Sequence, residues 1–218
     1  MKNPLVSIFV FLVPALVLAW SGTASASSSV PAPGALSLGL GVGVRSFDRA
    51  EFLGLAMTSP RQQTELTSGL ELSYQMTTHV RGSIQGRLGG SFSDDVSGFY
   101  RNDLSNQSFS VRGGLDWFPS LDTPVAIYVG LGYEYGESRI FYSLYGSHDE
   151  GARSHYTGAS LRSGLSLALA SRLRLRSELV VGGYYAHSAQ FGAQQRWLST
   201  SAAATMGLDF DVLRGSAE

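Results

Sequence analysis

The 218-residue chain has no Cys. That excludes a disulfide framework, a Cys-ligated zinc site, a thiol nucleophile and a lipid anchor on an N-terminal Cys. Lysine is nearly as scarce: Lys2 is the one Lys, and the other cations are Arg. Charged residues make up 15 % of the chain, against about 25 % in an average soluble domain. Sixteen Lys+Arg against seventeen Asp+Glu leave a net charge of −1. Without a basic block, nothing marks the chain as a nucleic-acid binder. Its mean hydropathy is close to balance, far too low for a helical membrane bundle. What abounds is Gly, at 26 residues.

Lys2, the apolar run Leu5–Trp20 and the small-residue site Ala24-Ser25-Ala26 have the layout of a secretory signal. Pro14 interrupts the run, and cleavage after Ala26 is expected, leaving a mature chain without Lys. The expected organisation is signal peptide 1–26, flexible lead-in 27–34, barrel 35–213 and C-terminal tail 214–218. Export to an oxidising compartment also accounts for the absence of Cys.

From Ala35 onward the hydropathy period is two. Leu36, Leu38, Leu40, Val42 and Val44 alternate with Ser, Gly and Arg, as in a strand with one apolar and one small or polar face. The pattern recurs near Gln62–Met76, Val80–Phe92, Gln107–Trp117, Val125–Tyr135, Thr157–Leu169, Leu173–Tyr185 and Leu198–Val212. The parity slips near Ser138, which predicts a bulge. Eight antiparallel strands and no helix result. Short links (Thr77–His79, Phe118–Pro124, Ala170–Arg172) alternate with longer ones (Asp48–Arg61, Ser93–Asn106, Ser143–Tyr156, Ala186–Trp197). Short periplasmic turns and long extracellular loops are the rhythm of a transmembrane barrel.

The polar face decides which side is inside. It carries Gly, Ser, Gln and Arg with balancing carboxylates, which suits a narrow lumen rather than a solvated surface. The expected lumenal ion pairs involve Glu71, Arg81, Arg87, Arg112, Asp116, Glu134, Arg162, Arg174, Arg176, Glu178, Asp209 and Asp211. Counting from the short turns puts Arg81 beside Asp116 and Arg87 one step from Glu71, with Arg174 and Arg176 level with Asp209 and Asp211. On the apolar face, Tyr74, Trp117 and Phe210 lie towards the turns. Phe92, Phe109, Tyr133, Tyr135 and Tyr185 lie towards the loops. Two aromatic girdles around an aliphatic band are the interfacial arrangement of an outer-membrane barrel.

With these features the chain resembles the small eight-stranded outer-membrane barrels, the class of the OmpA transmembrane domain, OmpX and OmpW. The most specific local match is Thr205-Met206-Gly207-Leu208-Asp209-Phe210-Asp211-Val212. It is similar to the terminal-strand signal of the wider family, with Thr205, Gly207, Phe210 and Val212 at the defining positions. The resemblance implies that the barrel-assembly machinery reads this strand. The family usually stops at a terminal Phe, whereas Leu213–Glu218 follow here.

The expected location is therefore the outer membrane of a Gram-negative-type bacterium, with lipid and lipopolysaccharide as surroundings and a monomer as the unit. A structural or surface-interaction role with a plugged lumen is expected, and no cofactor. The alternatives are a narrow channel for small or apolar solutes, as in OmpW, and a lipid A-modifying enzyme. Catalysis finds little support: His148, His155 and His187 fall towards the loops, but adjacent His187-Ser188 lacks the His-x-Ser spacing of the deacylases and no nearby Glu completes it. Asp149 and Glu150 beside these histidines show no metal-ligand spacing. Loop residues Phe99, Tyr100, Arg101, Tyr142 and Tyr145 are candidate contacts for an extracellular ligand. They fit equally well as aromatics folded onto the rim or facing lipopolysaccharide. Arg49, Arg61, Arg101, Arg139 and Arg153 are placed to pair with its phosphates.

Overall fold

A computed structural model describes residues 29–50, 62–95, 102–119, 125–144, 147–190 and 193–213. The eight strands are β1 (Leu36–Ala50), β2 (Gln62–Gln75), β3 (Val80–Asp95), β4 (Asn102–Trp117), β5 (Val125–Leu144), β6 (Ser147–Ala170), β7 (Leu173–Gln190) and β8 (Ala193–Leu213). Each pairs antiparallel with its sequence neighbour, and β8 returns to β1, closing the sheet. The closing seam runs in register from Ser37↔Asp211 to Ala50↔Leu198. Closure leaves no unpaired edge, which hydrocarbon would not tolerate.

The period-two pattern determines what each face meets. Outward side chains such as Leu66 and Leu131 are 72 % and 65 % exposed, whereas inward Arg162 and Glu134 are 2 % and 0 % exposed. Apolar residues outside and charges inside reverse the arrangement of a soluble domain. The belt of exposed Leu, Ile and Val is the surface that a bilayer, not water, solvates.

Three of the longer links are shorter than their composition suggests. The 143–156 link is almost wholly strand, since β5 and β6 pair as far as Leu144↔Ser147. Likewise β7 and β8 pair to Gln190↔Ala193, and β3 and β4 to Asp95↔Asn102. The reason is physical: beyond the bilayer both faces are polar, so the alternation that reveals a strand disappears while its backbone ladder continues. The slip anticipated near Ser138 is a register shift between Ile140 and Phe141.

At the opposite end the turns are tied together. Thr77 Oγ1 accepts from the backbone N–H of His79 and Val80, at 3.2 and 3.1 Å. The backbone N–H of Phe118 donates to the His79 carbonyl at 2.8 Å. The stretch expected to be a flexible lead-in is packed where it is described. Val30 is buried against Phe118, Ala126 and Tyr128, and Ser166 Oγ donates to the Ser29 carbonyl at 3.1 Å. Gly34, at φ 81°, makes the reversal from this segment into β1, a conformation that suits Gly.

Two glycines separate the demands of the two faces. A Cβ on Gly158 would run into the Gly183 carbonyl and lie 2.7 Å from Tyr184 Cα, whereas one on Gly86 meets nothing. Gly158→Ala is therefore expected to lower barrel stability by about 1–3 kcal/mol through overpacking. Gly86→Ala should leave the midpoint unchanged or slightly raised. Urea unfolding in detergent, followed by Trp fluorescence, checks the pair.

Candidate functional site

The lumen is where the chain concentrates its charge. Among the described residues, seven Arg (45, 81, 87, 112, 162, 174 and 176) and seven carboxylates (65, 71, 116, 134, 178, 209 and 211) are buried. A charge removed from water costs several kcal/mol unless it is paired and hydrogen-bonded, so the equal numbers are a physical requirement. The pairs form three levels along the barrel axis.

Nearest the short turns, Arg174 grips Asp211 through both terminal nitrogens, with Nη1 at 2.8 Å from Oδ2. Ser37 Oγ accepts from Arg174 Nη2 at 3.1 Å and donates to Asp211 Oδ1 at 2.6 Å. The middle level is built around Arg162. Its Nε and Nη2 hold both oxygens of Asp116, Nη1 donates to Glu71 Oε2 at 3.1 Å, and Nη2 also reaches Ser83 Oγ at 2.7 Å. Arg81 Nε donates to Asp116 from the other side at 3.0 Å. Arg176 bonds Glu71 and lies 3.5 Å from Asp209. Glu178 accepts from Arg87 Nη2, Thr205 Oγ1 and the Tyr128 hydroxyl at 3.4, 2.9 and 3.1 Å.

The level nearest the long loops includes a pair that composition alone did not single out. Arg45 donates to Glu134 Oε1 at 2.6 Å, and the Tyr184 hydroxyl donates to Glu134 Oε2 at 3.0 Å. The Arg45 guanidinium lies 4.2 Å from the Phe47 ring centre, with Tyr156 and Tyr184 around it. Ser108 donates to Glu65 at 2.8 Å. Arg45 and Glu65 are register neighbours, and both sit on the polar parity of their strands. That parity was the available signal for including them. The rings of Tyr128, Tyr156 and Tyr184 complete the filling, helped by glycines opposite. A Cβ on Gly164 would lie 2.5 Å from Tyr128 Cζ, and one on Gly132 would lie 2.5 Å from Arg112 Nε.

One expected neighbour pair and one further register pair meet other partners. Arg87 is diagonal to Glu71 in register but bonds Glu178 across the barrel. Arg112 lies opposite Glu134 in register, yet Glu134 turns to Arg45. Arg112 instead donates from Nε to Ser160 at 3.0 Å, and its Nη1 and Nη2 make no hydrogen bond. Burial also leaves Glu65 Oε1 and Arg87 Nε without one. A small cavity of mixed lining, with Val42 and Met206 as well as Thr67, Gln85, Arg87 and Arg176, lies beside this part of the network.

Outside the lumen, Tyr74, Phe109, Trp117, Tyr133, Tyr135, Tyr185 and Phe210 all point outward, each between 43 % and 62 % exposed. Thr205 and Gly207 of β8 face the network, whereas Phe210 and Val212 are exposed on the belt. His187 and Ser188 point to opposite sides of β7: His187 stacks on His155 at 5.3 Å, and Ser188 Oγ donates inward to the Arg153 carbonyl at 2.9 Å. Phe99, Tyr100, Arg101 and Tyr145 lie outside the described residues, as do the segments 1–26 and 214–218. Phe92 and Tyr142 belong to β3 and β5, but their side chains lie outside the described ones, as do those of His148, Asp149 and Glu150.

No protein-family model matches the chain, and no curated protein matches it in sequence. Solved structures do. The outer membrane protein OprG of Pseudomonas aeruginosa is similar over 86 % of this chain and 99 % of its own, at 11 % identity and a TM-score of 0.60. Ail of Yersinia pestis covers 81 % and 98 % at 12 % identity with a TM-score of 0.47. The outer membrane protein AlkL covers 90 % and 99 % at 11 % identity with a TM-score of 0.45. At such identities the likeness is one of fold, and the OprG alignment carries it. Combined with the outward apolar belt and aromatic girdles, it makes the chain a small eight-stranded barrel of the outer-membrane type.

Replacing Arg162 by Leu leaves Asp116 with Arg81 alone and Glu71 with Arg176 alone, one buried positive charge short. The expected loss is about 3–5 kcal/mol, the usual effect of breaking one side of a buried pair. Arg139→Leu removes a rim cation that is 41 % exposed and should cost about 0–1 kcal/mol. Equilibrium unfolding of the two variants in one detergent measures the contrast.

Proposed function

We propose that the protein is an outer-membrane barrel with a closed lumen, acting at the cell surface without catalysis or conduction. The observation that carries this reading is the matched set of seven buried Arg and seven buried carboxylates. An eight-stranded barrel has an interior just wide enough for side chains to fill. Here Arg162, Arg176, Tyr128 and Tyr184 cross it, each no more than 3 % exposed. A conducting path at the middle level would require Arg162 to leave Asp116 and Glu71 together. Oriented charges of both signs in a wetted constriction would instead select a solute, and the cavity beside Arg87 is the feature that favours that second reading.

In the same proposal β8, with Thr205, Gly207, Phe210 and Val212, is the strand read during assembly, and the barrel functions as a monomer among lipid and lipopolysaccharide. The opposed directions of His187 and Ser188 support a non-catalytic role. Unchanged lipid A mass spectra with and without the protein are the expected result; a lost or added acyl chain would indicate an enzyme.

Planar-bilayer recording tests the closed lumen. The wild-type barrel should show no steady conductance. Arg81→Ala, which removes one of the two guanidiniums on Asp116, should lower the unfolding midpoint while conductance barely changes. A large conductance gain at unchanged stability would mean that Arg81 guards an open pore.

A further inference from the structure

The eight strands close in sequence order, so β5 stands across the barrel from β1, and β6 from β2. At the short-turn end, residues 29–34 run between those two sides. The Gly34 N–H donates to the Gln75 carbonyl of β2 at 2.7 Å, and the Gln75 N–H donates to the Ala35 carbonyl at 2.9 Å. On the far side, the Ser29 carbonyl accepts from Ser166 Oγ of β6 at 3.1 Å. Val30 lies there against Ala126 and Tyr128 of β5 and against Phe118. The segment therefore crosses the mouth from wall to wall. Ser29, Val30 and Pro31 are buried, whereas Ala32 is exposed.

The run Ser29-Val30-Pro31-Ala32-Pro33-Gly34 suits such a crossing. Pro31 and Pro33 have no N–H, which leaves fewer backbone donors to satisfy over an opening, and their fixed φ stiffens the span. Above Val30, the Phe118 and Tyr128 rings lie 5.5 Å apart, and both are fully buried. The Arg81 guanidinium is 5.2 and 5.0 Å from their centres, and that of Arg162 is 5.7 Å from Tyr128. One aromatic layer thus separates Val30 from the cluster in which Arg81 and Arg162 share Asp116. Pairs of this kind keep their strength only while water is kept away.

The segment is attached differently from the strands. Residues 29–35 belong to no strand ladder, and β1 begins its pairing at Leu36. Segments outside the ladders open at lower free energy than the strands they lie on. The β1–β8 seam does not use them either, so their release leaves the barrel closed on itself.

We infer that residues 29–34 are a gating strap for the turn-side mouth. Seated, the strap presses Val30 onto Phe118 and Tyr128 and keeps periplasmic water off the Arg81–Asp116–Arg162 cluster. Released, it admits water and small solutes to the lower lumen as far as that cluster, while the strands stay paired. The inference rests on the closed-lumen reading and deepens it, because the strap is a second seal that can open without the ion pairs.

Because the chain has no Cys, one introduced thiol reports without background. Ser73→Cys places it on the inward face of β2, one inward position above Gln75, where the native residue is 5 % exposed. The purified full chain in detergent is treated with a charged thiol reagent. The thiol of this parent should react at least tenfold more slowly than in urea-unfolded protein. Adding Val30→Asp, which puts a charge on the apolar seat, should speed the reaction at least tenfold while the heat-modifiable gel mobility of a folded barrel is kept. Val30→Ser should give a smaller increase in the same direction. Val30→Leu and Ala32→Asp, which spare the seat, should react as the parent does. A parent that reacts as fast as unfolded protein would overturn the strap, as would an unchanged rate in both Val30→Asp and Val30→Ser. Planar-bilayer recording keeps the two readings apart. Steady conductance of the parent would refute the closed lumen, whereas a silent parent whose thiol ignores the Val30 substitutions refutes the strap alone.

Discussion

Every buried charge in this barrel must find its opposite across a space only a few side chains wide. Arg162 shows how strict that is. It takes both oxygens of Asp116, one of Glu71 and the Ser83 hydroxyl, so three strands besides its own depend on one guanidinium. Because a stranded buried ion costs several kcal/mol, the network couples β2, β3, β4 and β6 through side chains as well as backbone ladders. Arg suits the task because its planar fork satisfies two acceptors at once; a Lys ammonium cannot match that geometry. The near absence of Lys follows from the same requirement.

Other unusual features of the chain follow too. Filling the lumen with Arg and Tyr requires the facing strand to give way, which is what Gly132 does for Arg112 and Gly164 for Tyr128. The Gly content is therefore the counterpart of large lumenal side chains. The outer wall, freed from polar duty, carries Leu, Val and Ile between two rows of aromatics. The low overall charge reflects a surface that meets lipid over its middle and water only at its ends.

Much of the architecture is legible in the sequence because a period of two is unambiguous where one face meets hydrocarbon and the other meets polar groups. Strand number, inside and outside, and the Arg81–Asp116 juxtaposition all follow from that parity. Legibility ends at two places. Past the outer girdle both faces are polar, so the continuation of β5 into β6 and of β7 into β8 carries no hydropathy signature. Across the lumen, partners are set by side-chain reach rather than by register. Arg87 bonds Glu178 and Arg45 bonds Glu134, 91 and 89 positions away in the chain, although nearer carboxylates exist in register. Nor does composition foretell that Ser29 and Val30 fold into the turn end of the barrel, because the stretch has no periodicity to read.

The central claim is that the lumen is held shut by guanidinium–carboxylate pairing, and the guanidinium protons report on it directly. In lipid bilayers at neutral pH, the Nε–H signals of Arg81 and Arg162, both donated to Asp116, can be followed by nitrogen-15 NMR as the solvent is exchanged for deuterated water. A packed, ion-paired lumen predicts resolved signals that persist long after exposed arginine side chains have exchanged. Loss of both signals at the rate of the exposed arginines would mean that water runs freely through the barrel, and the closed-lumen account would be wrong.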